Sequence, residues 1–281
     1  MKHGFILLVA FACSALARAG DAPAPTPPAA PKSNLPADKD PMTTTRPAEH
    51  NVKRHQKCLD RAKEGNIDLL FLGDSITERW KDNEVWKQYY APLNAANFGI
   101  SGDVIENVLW RVGEGELDPA LIKPKVVVLL IGANNVGGDS TRDIVEGLKN
   151  LVRAIREKTP DSKLLVLGIF PCQQKRNKWR RQIEDINSQI AKVEDGKMVR
   201  FLDLKSKFVE SDESISKEVM PDYQHPSAKG YRLWAEGMEP LLSEMMGFPA
   251  RKPESFLKED ETQKVEPEVK GPVAVPGGIT K

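Results

Sequence analysis

Three observations predict a three-layer α/β/α protein built on a five-stranded parallel sheet. Five short apolar runs alternate along the chain with stretches that carry apolar residues at helical spacing. The runs are continuous in hydrophobicity, as strands must be when helices cover both faces of a sheet. Four of the five close on Gly or Pro, so each leads into a loop at the sheet edge where such folds keep their sites.

The elements follow in order. The first run, residues 67–72, stops at Gly73. The second, 95–99, is weaker. The third, 125–131, is rich in Val and ends at Gly132. The fourth, 164–170, ends at Pro171, and the fifth covers 199–204. Between them, Thr141 is expected to cap a helix that runs to Lys158 with Ile144, Leu148, Leu151, Val152 and Ile155 on one face, until Thr159 and Pro160 stop it. A second helix covers 177–193 through Ile183, Ile186, Ile190 and Val193. Pro226 and Ser227 start a last one that carries Tyr231, Trp234, Met238, Leu241 and Leu242. His50 and His55 fall in an earlier helix or its approach. Strand–helix alternation of this kind implies right-handed crossovers.

The chain has 281 residues, with 41 Lys+Arg against 40 Asp+Glu and a net charge of +1. That balance argues against a nucleic-acid partner, which needs a cationic surplus to neutralise phosphates. Four His and three Cys rule out a disulfide scaffold, and no metal constellation is visible. Eight of the 21 Pro lie between Asp21 and Pro47 and five after Gly247, so the folded part is shorter than the chain. Residues 1–19 read as a secretory signal: Lys2 and His3 come first, then an apolar stretch from Phe5 to Ala17, then an Ala17-Arg18-Ala19 cleavage site. The apolar stretch is too short to span a bilayer, so export without stable membrane insertion is expected. Residues 20–47 read as a Pro/Ala-rich disordered linker and 250–281 as a disordered, charged tail. One domain, 48–249, remains. Cys58 and Cys172 are expected to be unpaired or buried thiols.

The chemistry-bearing residues stand at the strand ends. Asp222 precedes His225 by three residues in a loop stiffened by Pro221 and Pro226. Asp222 can accept the Nδ1 proton and leave Nε2 as a base. The same pair also fits a capping Asp beside a surface His. Ser75 follows Gly73 and Asp74 at a strand-to-helix turn, where Gly73 permits a tight turn and the Ser75 Oγ is expected to be exposed. A hydroxyl there needs a base to become a nucleophile, and its plainer role is an N-cap. Gly102 offers a bare backbone N–H, and Asn134 an amide at the end of the third strand. Together with the Ser75 N–H they would complete a three-donor oxyanion hole.

These residues make the chain similar to the SGNH (GDSL) hydrolases. The family's four blocks match Gly73-Asp74-Ser75, Gly102, Gly132-Ala133-Asn134-Asn135 and Asp222-Tyr223-Gln224-His225, in the family's order. The resemblance covers about residues 65–246. It is strongest to the branch of the platelet-activating factor acetylhydrolase Ib catalytic subunits, through Asn97-Phe98-Gly99-Ile100 with Gly102-Asp103, Val108-Leu109-Trp110-Arg111, and Gly115-Glu116-Leu117. Asn135, where many members carry Asp, is shared with that branch. The resemblance implies a flavodoxin-like sandwich and ester hydrolysis through an acyl-enzyme. Ser75 would be the nucleophile and first oxyanion donor, Gly102 and Asn134 the other donors, His225 the base and Asp222 its orienter.

Other signals add less. The run 175–181 is basic and contains Trp179; it reads as a loop and helix start near the site mouth. Trp80, Trp86 and Trp110 are expected mostly in the core. No P-loop lysine motif or dinucleotide fingerprint occurs, so no cofactor is expected. The reading is an exported serine esterase that removes small acyl groups, acetyl first, with O-acetylated carbohydrate as the lead substrate. Its rivals are a lysophospholipase or acyltransferase on the same triad, and a non-catalytic glycan- or envelope-binding module. The sequence carries no signal for the oligomeric state.

Overall fold

The computed structural model describes residues 43–251. The expected signal, most of the linker and the tail beyond Arg251 lie outside the described residues. Five strands form one sheet: β1 (Leu69–Gly73), β2 (Ala95–Gly99), β3 (Val126–Leu130), β4 (Lys163–Leu167) and β5 (Val199–Leu202). Their order is β2-β1-β3-β4-β5, and every pair is parallel. The chain steps from β1 to β2 on one side and returns to β3 on the other. The sheet therefore reverses its winding beside β1, which opens a crevice at the carboxyl ends of β1 and β3.

Both sheet faces are dry, as the continuous runs require. Leu70 and Leu72 of β1, Val127 and Leu129 of β3, and Leu164 and Val166 of β4 pack against α1 (Glu49–Lys63), α4 (Ile105–Arg111), α5 (Thr141–Lys158) and α6 (Lys178–Ile190). The alternate residues Leu69, Phe71, Val126, Val128 and Leu165 face α2 (Ser75–Glu78), α3 (Glu84–Tyr89), α7 (Lys205–Phe208) and α8 (Ala228–Met246). This second face carries the aromatic mass. Trp80 and Trp234 are fully buried, with ring centroids 4.8 Å apart. Trp86 is in the same core, whereas Trp110 packs edge-on against His55.

Several boundaries differ from the sequence expectation, each for a local reason. Ser140, not Thr141, caps α5, its side chain accepting from the Asp143 N–H at 3.1 Å. The fourth strand stops at Leu167. Beyond it, Asn187 of α6 takes both the N–H and the carbonyl of Ile169, at 2.9 and 3.0 Å, so the chain leaves the sheet although residues 168–170 stay in the core. The flanks are tied down earlier than the expected 48–249. Thr45 donates its N–H to the Glu106 carbonyl, and its own carbonyl accepts from Asn107 Nδ2 at 2.8 Å. At the other end Arg251 forks onto Glu239, with both contacts at 2.7 Å. Cys58 and Cys172 are both free thiols.

Candidate active site

The crevice gathers residues from four loops. β1 ends at Gly73, and Asp74 caps the short helix α2 by accepting the Ile76 N–H at 2.9 Å. Ser75 is the first residue of that helix, so no intrahelical carbonyl can take its N–H. Gly73 serves a purpose other than the one expected. Its φ is not positive; instead, a Cβ there would meet the Leu130 carbonyl at 2.2 Å and the Thr77 hydroxyl at 2.4 Å. Close packing, not turn geometry, requires glycine. Ser75 is 8% exposed, so the expected free-standing hydroxyl is largely covered.

His225 reaches Ser75 across 150 residues of sequence. Its Nε2 lies 2.9 Å from Ser75 Oγ, and its Nδ1 lies 2.7 Å from Asp222 Oδ2. The other Asp222 oxygen accepts the His225 N–H at 2.7 Å and the Gln224 N–H at 3.0 Å. Partial burial pulls the Asp222 carboxyl upward. The hydrogen bonds from the His225 ring and from these two backbone groups outweigh it and hold the carboxyl well below the usual range. An ionised carboxylate only accepts, so Nδ1 carries the proton and Nε2 is left to accept from Ser75. Tyr223 between the two sits at φ 60, a conformation bulky residues rarely adopt. Its carbonyl accepts the Gln173 N–H at 2.8 Å, which fastens the loop to the far wall of the crevice.

On the opposite side, Gly102 has φ +84 and open space around its Cβ position. Asn134 follows β3 and donates one amide N–H to the Asp103 carbonyl at 2.8 Å, leaving its second for a ligand. Asn135 turns away and braces α4, accepting the Ile105 N–H at 3.1 Å and donating to Glu106 and Asp139. The structure thus brings Ser75, Gly102, Asn134, Asp222 and His225 to one end of the sheet, with a Ser–His–Asp hydrogen-bonded chain complete.

Residues 71–233 match the GDSL-like lipase/acylhydrolase family, more than half of the chain. The chain belongs to that family. Platelet-activating factor acetylhydrolase IB subunit alpha2 of Rattus norvegicus is 34% identical over 197 residues, covering 69% of this chain and 84% of that one. Subunit alpha1 of Homo sapiens is 34% identical over 193 residues, covering 68% and 82%. Among solved structures, a GDSL-like lipase from Bacteroides thetaiotaomicron superposes with TM-score 0.55 at 18% identity, covering 69% and 98%. A variant of an acetyl-xylooligosaccharide esterase from Geobacillus does so with TM-score 0.52 at 20% identity, covering 68% and 99%. This GDSL protein is therefore an ester hydrolase with the five-stranded α/β fold of its family.

A pocket of about 260 Å³ opens beside Ser75, lined by Ile76, Ala133, Asn134, Phe170, Trp179 and Ile183 among others. Trp179 comes from the basic run and does line the site, while Trp80 and Trp86 lie in the core and Trp110 against His55. The wall behind Trp179 is clamped by Arg180, almost fully buried, which donates to the carbonyls of Cys172, Gln173 and Glu213.

Sequence reasoning missed the support beneath Gly102. Arg111 is fully buried and forks between the ends of β1 and β2, reaching the Gly73 and Phe98 carbonyls at 3.2 Å each. It is hydrogen-bonded to Glu116, and its Nε lies 2.8 Å from Asp103 Oδ2, an ion-pair contact outside hydrogen-bond alignment. Glu116 also meets His55 Nδ1 at 2.8 Å, and Asn51 donates to Asp103 Oδ1 at 3.2 Å and to the Ser101 carbonyl at 3.0 Å. Burial pushes the Asp103 carboxyl up, to about 6, against the pull of Arg111. The sequence signal was the resemblance of Gly102-Asp103, Val108-Leu109-Trp110-Arg111 and Gly115-Glu116-Leu117 to the acetylhydrolase branch, which gave no hint that the three charges meet.

Proposed function

We propose that this protein is an exported serine esterase that removes acetyl groups from carbohydrate. Ser75 Oγ attacks the ester carbonyl while His225 Nε2 takes its proton, and Asp222 stabilises the imidazolium that forms. The oxyanion is met by the N–H groups of Ser75 and Gly102 and by the free amide hydrogen of Asn134. His225 then protonates the departing alcohol, and water, activated by the same imidazole, hydrolyses the acyl-enzyme. The observation that carries this reading is the hydrogen-bonded chain from Ser75 through His225 to Asp222.

The small acyl group is supported by the bulky side chains of Phe170, Trp179 and Ile183 that line the pocket beside Ser75. The names of the acetylhydrolase and acetyl-xylooligosaccharide esterase relatives point the same way. Export is supported by the leader pattern of residues 1–19.

The test is a series of 4-nitrophenyl esters from acetate to octanoate on the full chain, with acetate release from O-acetylated xylan alongside and Ser75→Ala as control. Fastest turnover on acetate, acetate release from xylan, and loss of both in the variant are expected. Best turnover on octanoate moves the reading to lipids. Equal inertness of wild type and variant overturns it.

A further inference from the structure

A second cavity, of about 320 Å³, lies at the edge strand β2, lined from α1, from the chain just after α2 begins and from β2 itself. Its lining carries Arg54, Lys57, Glu78, Lys81 and Asn97, with Cys58 and Gly99. Three cations thus face one carboxylate, and that carboxylate is already engaged. Glu78 Oε2 accepts from Arg54 Nη1 at 2.7 Å, from the Ser101 N–H at 3.0 Å and from the Ser101 hydroxyl. Lys81 stands 3.8 Å from the other oxygen. The acidic neighbours on the same helix face are used elsewhere: Asp60 pairs with Lys63, and Glu64 with Arg61. Lys57 makes no ion pair or hydrogen bond among the described residues.

The cavity is close to the reacting centre. Glu78 is three residues, about 4.5 Å of helical rise, beyond Ser75. Arg54 is two hydrogen bonds from Ser101, the residue before Gly102. Through Glu78 the cavity wall is joined to the loop that carries Gly102. Excess positive charge around a cavity of this size is satisfied by an oxyacid anion. The three cations, with the Asn97 amide beside them, suit the carboxylate of a sugar acid.

We infer that this cavity is an anionic subsite, taking the carboxylate of an acidic sugar adjoining the acetylated one. This rests on the esterase reading above and narrows it to acidic glycans. Two measurements separate the two claims. The first is calorimetric binding of trigalacturonate and of neutral xylotriose to the full-length Ser75→Ala chain, with and without Lys57→Glu plus Lys81→Glu. The second is the ratio of kcat/KM on O-acetylated oligogalacturonate to that on O-acetylated xylo-oligosaccharide, in the wild type and the double variant.

Preferential binding of trigalacturonate that weakens at least tenfold in the double variant is expected, with a matching fall in the kcat/KM ratio. The unaltered melting temperature of the double variant would show that it folds. Equal binding of the two trisaccharides, or a ratio within twofold of wild type in the folded variant, overturns the subsite even if neutral esters are hydrolysed. Selective binding without any ester turnover keeps the subsite and overturns the esterase reading. Preference for an acetylated glycerophospholipid over oligogalacturonate, lost in the same variant, overturns the glycan assignment.

Discussion

On one side of Ser75, Gly102 and Asn134 rest on charges sealed beneath the sheet ends; on the other, His225 and Asp222 stand in a loop open to water. The Arg111, Asp103 and Glu116 side chains are 0% exposed. The Asp222 side chain is 54% exposed and that of His225 16%. The difference follows from what each side must do. In the mechanism proposed above, oxyanion donors act by being fixed before charge develops, and a buried ionic cluster holds a loop with little freedom. A base must gain and lose a proton in each cycle, and water plus a carboxylate lowers the cost of that change. The first side is therefore fragile to substitution in its foundations, the second only in its chemistry.

The largest expected effect removes the group both sides serve. Ser75→Ala lowers kcat on 4-nitrophenyl acetate by about 10⁴-fold or more while the melting temperature stays near wild type. A loss under tenfold would break the claim that the two sides converge on this hydroxyl.

Next comes the foundation. Arg111→Met leaves the Asp103 and Glu116 carboxylates buried without their cation, so urea unfolding should show a loss of about 3–5 kcal/mol. Asp222→Ala, on the exposed side, should cost activity but less than about 1 kcal/mol of stability. Equal stability losses in the two variants would erase the contrast.

Asn134→Ala tests the fixed side by activity. A fall of about 10²–10³ in kcat is expected if its second amide hydrogen meets the oxyanion. A loss under about threefold in an otherwise active enzyme would remove it from the hole.

The smallest effect concerns Asp74, which lies between the two sides. Burial pushes its carboxyl up to about 7, against the Ile76 N–H bond and the nearby His225. The native state thus holds this proton more tightly than the unfolded chain. Its contribution to stability is greatest below the ordinary carboxylate range near 4, declines as pH rises toward 7 and levels off above. Asp74→Asn should flatten the fall in urea midpoint between pH 5 and 8, leaving the part due to Asp103. An unchanged slope would show that Asp74 is ionised throughout.

The order of the strands and the residues at their ends were legible in the chain, whereas the short helices α3 and α4 were not. Strand character shows in the side-chain run of Val126–Leu130, and Gly132, Pro221 and Pro226 mark the loops that follow, so both are local properties. That is why Ser75, Gly102, Asn134, Asp222 and His225 were visible as candidates, and why the strands at Leu69–Gly73 and Ala95–Gly99 were found within a residue or two. Only the tertiary structure decided what surrounds them. The burial of Arg111 depends on α1, which brings Asn51 and His55 against Asp103 and Glu116, fifty or more residues away. The packing of α1 beside β2 sets Lys57 and Lys81 around one cavity with Glu78, a grouping that no local pattern encodes. Burial and charge balance belong to the packed molecule, because each depends on which distant segments exclude water together.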